Sequence, residues 1–196
     1  GFVLVESLDV RIETLDGIIS PSPIVLFSAS SVAFTMLCVT GVLNATNMTD
    51  GVDGLLGAVA SLSLTAIAFL AFYSGHETEA AVASLVAGAL VGYLLFNLGL
   101  LGTRRKVFLG DSGSLVVGLV LVVLLIALSQ GEDPAFSPTA AGWLLGLPLL
   151  DTVTVMVRRM LQGRSPFSAG RDHFHHLLID RGYTSSETLL TLTTVH

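Results

Sequence analysis

The chain has 196 residues, of which 52% are hydrophobic and only 12% are charged, and its mean hydropathy is +0.80. A soluble domain carries about 25% charged residues, so this composition excludes a water-soluble globular protein and favours a chain embedded in a bilayer. The net charge of −6 argues against a nucleic-acid partner, and the single cysteine, Cys38, excludes a disulfide within the chain.

Five segments are apolar and long enough to cross a bilayer as α-helices, which takes about 20 residues. In chain order they are residues 24–43, 55–73, 80–98, 114–129 and 139–157, and a sixth begins at Glu187. Pro148 is expected to kink the fifth segment. Because an open sheet edge cannot be satisfied in lipid, the predicted fold class is all-α: a polytopic transmembrane helix bundle forming one domain over residues 1–196.

The two ends of the chain are typical of the interior of a longer protein. Residue 1 is Gly, residues 1–20 lack the basic start and apolar stretch of a signal peptide, and the sixth apolar segment breaks off at His196. We therefore expect N-terminal spans before residue 1 and further chain after residue 196.

The basic residues favour one side of the predicted bundle. Eight of the nine lysines and arginines fall in the loops 99–113 and 158–186, on the same side as the loop 44–54. Only Arg11 falls on the other side, in the loop 1–23. The positive-inside rule makes the basic side cytoplasmic and the loop 1–23 extracytoplasmic. We therefore expect one cytoplasmic site assembled from three loops.

The first polar cluster, NATNMTDGVDGLLG at residues 44–57, places two amides and two carboxylates between apolar segments. Asn44, Asn47, Asp50 and Asp53 offer the oxygen ligands that Mg²⁺ prefers. A helical turn would bring Asp50 and Asp53 to one face. The alternative is a capped turn between two helices, since Asn, Asp and Gly are common turn residues.

The second cluster, RRKVFLGDSGSL at residues 104–115, sets three cations before an acid at the mouth of the fourth span. An unpaired aspartate is costly at such a place, so Asp111 is expected to meet a bound cation or a neighbouring base. Residues 112–114 could offer backbone N–H groups to a phosphate. The alternative is that Asp111 only caps the helix.

The third cluster, GRSPFSAGRDHFHHLLIDRG at residues 163–182, contains His173, His175 and His176. No cysteine lies near, and the last two histidines would point in different directions on a helix, so zinc is disfavoured. Phosphate binding by histidine and arginine fits better. Asp151 lies about 10 Å deep in the fifth segment, where an acid normally faces the bundle interior and has a partner.

NATNMTDGVDGLLG, KVFLGDSGS and SPFSAGRDHFHHLL together resemble the three cytoplasmic signatures of the polyprenyl-phosphate N-acetylhexosamine-1-phosphate transferases, which form part of glycosyltransferase family 4. The motifs occur in the family's order, and the resemblance covers nearly the whole chain. It implies a Mg²⁺-dependent enzyme of the bacterial inner membrane, with Mn²⁺ as an alternative ion. The phrases LPLLDTVTVMVRRM and SPFSAGRDHFHHLLIDRGYTS are most similar to the members that use N-acetylglucosamine.

The reaction implied by the resemblance transfers N-acetylglucosamine 1-phosphate from UDP-GlcNAc to undecaprenyl phosphate and releases UMP. It is the first membrane step of O-antigen and cell-envelope polysaccharide synthesis. The implied partners are a UDP-N-acetylhexosamine, undecaprenyl phosphate and membrane lipid, and a homodimer is compatible with them. No nucleic acid is expected.

The resemblance also implies roles for individual residues. Asp111 matches the family's magnesium-binding aspartate, and Asn47 matches an asparagine beside the metal and the pyrophosphate. The implied catalytic residues are Asp50, Asp53, Asp111 and His173. The implied phosphate and nucleotide contacts are Asn44, Asn47, Lys106, Arg171, His175 and His176.

Two departures from the family's pattern bear on the site. The chain has no Asp-Asp motif of the kind that the family carries near the lipid phosphate, because the sequence begins after that place. Gly170 stands where relatives have an aspartate three residues before the first motif histidine, and Asp172 stands one residue before it. Part of the active site is therefore expected to lie outside this chain.

Three alternatives remain open at this point. Within the same class, the chain could be a phospho-N-acetylmuramoyl-pentapeptide transferase of peptidoglycan synthesis, although SPFS before the histidines favours the N-acetylglucosamine enzymes. In a different class, it could be half of a transporter with an ion site at the bilayer midplane. Only Asp151 approaches that depth, which disfavours transport. An inactive scaffold is the third alternative.

Overall fold

The computed structural model describes residues 10–15, 24–168 and 170–196, which form mainly helices. The α-helices are α1 (Ser28–Thr49), α2 (Leu55–Tyr73), α3 (Glu77–Asn97), α4 (Gly110–Ser129), α5 (Pro138–Leu144), α6 (Gly146–Leu161), α7 (Phe174–Asp180) and α8 (Ser185–Val195). A 3₁₀ turn, Thr103–Arg105, lies between α3 and α4. The predicted all-α polytopic membrane bundle is confirmed.

The first four helices are each long and apolar enough to cross a membrane. Three of them are longer than the sequence predicted: α1 continues past residue 43 to Thr49, α3 begins at Glu77 rather than at residue 80, and α4 begins at Gly110 rather than at residue 114. As a result, polar residues that the sequence assigned to loops lie in the last turns of α1 and the first turn of α4.

The fifth predicted span, residues 139–157, is broken more sharply than the kink expected at Pro148. The helices α5 and α6 meet at an angle of 88°, so they form a broken span or a re-entrant segment. Pro148 has no N–H to donate to the carbonyl of Leu144, the last residue of α5. As the third residue of α6, Pro148 loses no hydrogen bond, because the first four N–H groups of any helix have no partner within the helix.

The core lies along two helix pairs, with α2 packed mainly on α3 and α1 mainly on α4. Its most deeply buried side chains include Leu56, Leu64, Ile67, Leu121 and Leu128. At the contact between α1 and α4, a Cβ on Gly118 would overlap the hydroxyl of Thr46. The glycine therefore allows the two helix backbones to approach closely.

Two short antiparallel strands, β1 (Thr14–Leu15) and β2 (Ile24–Val25), lie at one end of the bundle. The side chain of Gln130, at the end of α4, accepts hydrogen bonds from the backbone N–H groups of residues 13 and 14. Of the predicted extracytoplasmic loop 1–23, only residues 10–15 are among the described residues, so most of that prediction lies outside them.

The opposite end of the bundle is polar. We call it the polar end. It consists of the C-terminal ends of α1, α3 and α6, the N-terminal ends of α2, α4 and α8, and the whole of α7. Helix α8 begins with a capping box formed by Thr184 and Glu187, close to the predicted start of a sixth apolar segment. Apolar side chains of α7 and α8 pack on Leu55 and Val59 at the start of α2.

Candidate active site

The turn between α1 and α2 carries the first group of predicted site residues. Asp50 ends α1, and Gly54 begins α2 with φ of 80°, a left-handed conformation that favours glycine. Asn44 and Asn47 lie in the last turns of α1 rather than in a loop. The amide of Asn44 is exposed and donates to the carbonyl oxygen of Thr40, at 2.9 Å.

The turn meets the second motif through an ion pair. The Lys106 Nζ lies 2.7 Å from Asp53 Oδ2, and both side chains are partly exposed. Burial, and then the charges of neighbouring Asp53 and Asp111, raise the pKa of Asp50 to about 6. Residues separated by some 60 positions in the chain thus form one acidic cluster, consisting of Asp50, Asp53 and Asp111, with Lys106 at its edge.

A small cavity of about 70 Å³ opens beside this cluster, and it includes residues that the sequence did not single out. Tyr93 and Asn97, from the end of α3, line it together with the turn residues 50–53. Asn97 is buried and donates to the carbonyl oxygen of Val107 at 2.9 Å, while its Oδ1 has no hydrogen-bond partner within the described part of the chain. The available signal was a lone amide at the end of the apolar second half of α3.

The histidine motif reaches the same turn. A Cβ on Gly51 would overlap Nε2 of His175, so the imidazole lies directly against the glycine. The His173 ring is nearly parallel to that of His175, with centroids 6.0 Å apart, and His176 lies 4.2 Å from His175. Burial, and then the neighbouring His176, lower the pKa of His175 to about 4, so this ring is neutral at pH 7.

Asp151 has the interior partner that its depth predicted. It is 5% exposed, and its Oδ2 accepts a hydrogen bond from Nδ1 of His173 at 2.9 Å. Its Oδ1 accepts from the backbone N–H of Phe174, also at 2.9 Å. The carboxylate therefore fixes the start of α7 to α6.

A second contact anchors the segment before the histidines. The buried guanidinium of Arg159 donates to Asp172 Oδ2 at 3.3 Å and to the carbonyl oxygen of Pro166 at 3.2 Å. A Cβ on Gly170 would lie against both the Asp172 carboxylate and the Arg159 guanidinium, so a larger residue would force these groups to shift. Asp172 is thus held by Arg159 of α6.

Arg171 is loosely held. Its guanidinium lies 3.7 Å from Asp180, and the two side chains are 70% and 58% exposed. An ion pair this exposed contributes about 0–1 kcal/mol. Burial, and then the charge of nearby Arg171, lower the pKa of His176.

Magnesium, the ion implied by the resemblance, fits the acidic cluster by its charge. Among the described residues, no group of three or more His, Cys, Asp or Glu side chains is placed to hold a metal ion. Mg²⁺ in phosphate-transfer sites commonly uses only one or two carboxylates, and water and substrate phosphates complete its shell. Burial is the main cause of the raised pKa of Asp50, and repulsion from Asp53 and Asp111 adds to it; a bound cation would relieve that repulsion.

The Asp50→Asn variant is expected to stabilise the protein at pH 7 when no Mg²⁺ or nucleotide is added. A pKa raised from 3.8 to about 6 means that the folded protein binds this proton more tightly than the unfolded chain does. The carboxyl therefore lowers stability progressively as the pH rises from about 4 through about 6. The full shift corresponds to roughly 3 kcal/mol, but solvent screening of this half-buried group reduces the expected gain to about 1 kcal/mol.

Thermal unfolding in detergent at pH 4 and pH 7 tests this expectation. At pH 4 the carboxyl is protonated in the folded protein and near its midpoint in the unfolded chain, so little of the destabilisation remains and the variant and the wild type should unfold at nearly the same temperature. At pH 7 the variant should unfold at a higher temperature. A lower midpoint at pH 7 would mean that the ionised carboxylate stabilises the turn.

Comparison with known proteins agrees with the motifs. The sequence profile of glycosyl transferase family 4 matches residues 1–129, which include the first two motifs and end before the histidines. The undecaprenyl-phosphate alpha-N-acetylglucosaminyl 1-phosphate transferases of Salmonella typhi and Escherichia coli strain K12 are each 39% identical to this chain over 121 residues. The aligned region is 62% of this chain and 33% of either relative.

A relative from another organism gives a similar result. The protein of the same name from Haemophilus influenzae is 38% identical over 108 residues, which is 55% of this chain and 30% of the relative. The chain therefore spans about a third of the length of the curated relatives it matches. With the profile covering well over half of its residues, the chain belongs to glycosyl transferase family 4.

Proposed function

We propose that the protein transfers N-acetylglucosamine 1-phosphate from UDP-N-acetylglucosamine to undecaprenyl phosphate and releases UMP. The observation that carries the proposal is the meeting of three distant motifs at the polar end of a membrane bundle: Lys106 pairs with Asp53, Asp50 lies near Asp111, and His175 packs on Gly51. The names of the relatives support the lipid phosphate and the sugar.

In the proposed reaction, an oxygen of the lipid phosphate attacks the β-phosphorus of the UDP-sugar. The bond between that phosphorus and the oxygen bridging to UMP breaks, and UMP leaves with the bond's electrons. A phosphate monoester is mostly dianionic at pH 7, because its second pKa is about 6. The work left to the protein is therefore to hold two anions in line and to offset their charge.

The polar end has the charge distribution for this work. Lys106 is held by Asp53 at the cavity edge, where a phosphate could compete for the ammonium group. The segment 170–176, which we call the histidine loop, supplies ring nitrogens, and exposed Arg171 can leave Asp180 at little cost. Bound Mg²⁺ would supply charge neutralisation at the diphosphate. Asp111 and Asn47 are the residues proposed to hold the ion.

The site must bind one substrate from water and one from lipid, and the polar end has both a charged surface and an apolar surface. Its turns and 3₁₀ segment carry charged residues, while the helices and the segment before α4 expose large apolar side chains, among them Phe96, Phe108 and Met160. We propose that this end faces the cytoplasm of a bacterial inner membrane, because the basic residues collect there.

The decisive assay incubates the full-length protein with undecaprenyl phosphate and a panel of radiolabelled UDP-sugars. UMP release is expected with UDP-N-acetylglucosamine, to depend on the lipid phosphate, and to fall to background when EDTA removes Mg²⁺. Release only with UDP-N-acetylmuramoyl-pentapeptide would instead favour the peptidoglycan enzyme. Undiminished release in EDTA would contradict the magnesium assignment, and no release with any sugar would contradict the proposed function.

A further inference from the structure

The pairing of Asp151 with His173 has a consequence for the protons of the imidazole ring. An ionised carboxylate can only accept hydrogen bonds, so the 2.9 Å contact with Asp151 Oδ2 requires a proton on Nδ1 of His173. Because the two ring nitrogens point away from each other, Nε2 faces away from Asp151. It is the nitrogen available to a ligand.

The pair is held in place from both sides. Asp151 is buried within α6, and its second oxygen accepts the N–H of Phe174, so the carboxylate cannot rotate without losing that bond. His173 is buried as well and precedes α7 with an extended backbone. Its ring lies parallel to that of His175, which packs on the turn containing the acidic cluster.

We propose that Asp151 is a positioning residue for the transfer reaction: it keeps a proton on Nδ1 of His173 and thereby presents Nε2 to a phosphate oxygen of the substrates. The inference rests on the proposed function, since it assigns a purpose to the histidine within that site. A substrate phosphate has few protons of its own at pH 7, so Nε2 donates the hydrogen bond while Nδ1 remains paired with Asp151.

An amide in place of the carboxylate separates the effect of Asp151 on the His173 proton from its effect on the contact between α6 and α7. In Asp151→Asn the amide has one oxygen and one NH₂ group. The oxygen can still accept the hydrogen bond from the Phe174 N–H, and the NH₂ group then faces Nδ1 of His173. The ring must then accept at Nδ1. It can no longer carry both protons while paired with residue 151. The shape of the side chain is unchanged, so the contact between α6 and α7 is preserved.

Turnover should therefore fall about 10- to 100-fold in Asp151→Asn, the range seen when the partner of a metal-bound histidine is removed. Asp133→Asn is the control, because it makes the same change in an exposed acid of the loop between α4 and α5, at the opposite end of the bundle, and is expected to leave turnover unchanged. In a protein that already carries His173→Ala, Asp151→Asn should cost less than about twofold. Equal losses with and without His173 would overturn the proposal.

Two substitutions of the histidine test the same idea without altering Asp151. The amide nitrogen of glutamine in His173→Gln can reach the position of Nε2, whereas that of asparagine in His173→Asn reaches only the position of Nδ1. His173→Gln should therefore retain about tenfold more turnover, the scale of one hydrogen bond to a charged group. Equal turnover, or more in His173→Asn, would mean that Nε2 is not the working atom.

A spectroscopic measurement separates this inference from the proposed function. In full-length protein labelled with ¹⁵N-histidine, the His173 signals can be assigned by their loss in His173→Asn. Nδ1 should be protonated at pH 8 in the wild type, and the proton should move to Nε2 in Asp151→Asn. An unprotonated Nδ1 in the wild type would overturn the pairing even if UMP is released. A protonated Nδ1 without UMP release would refute the function alone.

Discussion

Gly51→Ala is expected to lower UMP release by at least about 100-fold. The added Cβ would overlap Nε2 of His175, and that imidazole is buried beside the rings of His173 and His176. The ring cannot shift alone, so the histidine loop must move away from the acidic cluster. A displacement of about 1 Å of groups that position a substrate can cost about 100-fold in rate.

The matched control is Gly41→Ala in α1. A Cβ at position 41 meets nothing within 4 Å, and alanine favours a helix over glycine by about 1 kcal/mol. This variant should therefore keep its turnover and unfold at the same or a higher temperature. Initial rates of UMP release and thermal midpoints in detergent compare the two variants directly.

Combining Gly51→Ala with His175→Ala separates packing from chemistry. The smaller side chain makes room for the new Cβ, so the thermal midpoint should recover toward that of the wild type. Turnover should stay low, because His175 is itself a proposed phosphate contact. Turnover by Gly51→Ala within about threefold of the wild type would show that the contact between the turn and the histidine loop is dispensable.

The sequence predicted the parts of this structure that depend on local composition. Four uninterrupted spans follow from apolar length alone, and the parity of the spans brings the loops 44–54, 99–113 and 158–186 to one end. The contact of Gly51 with His175 and the pairing of Lys106 with Asp53 agree with that arrangement. The roles of the individual site residues remain predictions.

Features that depend on how helices rotate and pack could not be predicted from the sequence. Tyr93 and Asn97 line the cavity because of the orientation of α3, and a segment that is apolar on nearly all sides gives no signal of orientation. The break before Gly146 lies in an apolar run that looks continuous, and Pro148 indicated only a kink. The partner of Asp151 lies 22 residues away, so no helical spacing could identify it.

Asp111→Asn is expected to lower UMP release by at least about 100-fold, the scale of losing one well-placed electrostatic contact. Asp111 lies in the first turn of α4, with an exposed carboxylate whose charge is felt by Asp50. The amide keeps the shape of the side chain but removes the charge that would bind Mg²⁺. We expect losses of the same scale in Asp53→Asn and His173→Ala, which remove the partner of Lys106 and the Nε2 donor.

The control for charge removal is Asp133→Asn, an exposed aspartate in the loop between α4 and α5 at the opposite end of the bundle. It should leave both turnover and the thermal midpoint unchanged, because it lies far from all three motifs. Near-normal turnover in Asp111→Asn, Asp53→Asn and His173→Ala together would refute the assignment of the site to the polar end. A loss confined to Asp111→Asn would instead restrict the essential chemistry to the second motif, with the other two motifs serving only to hold the loops together.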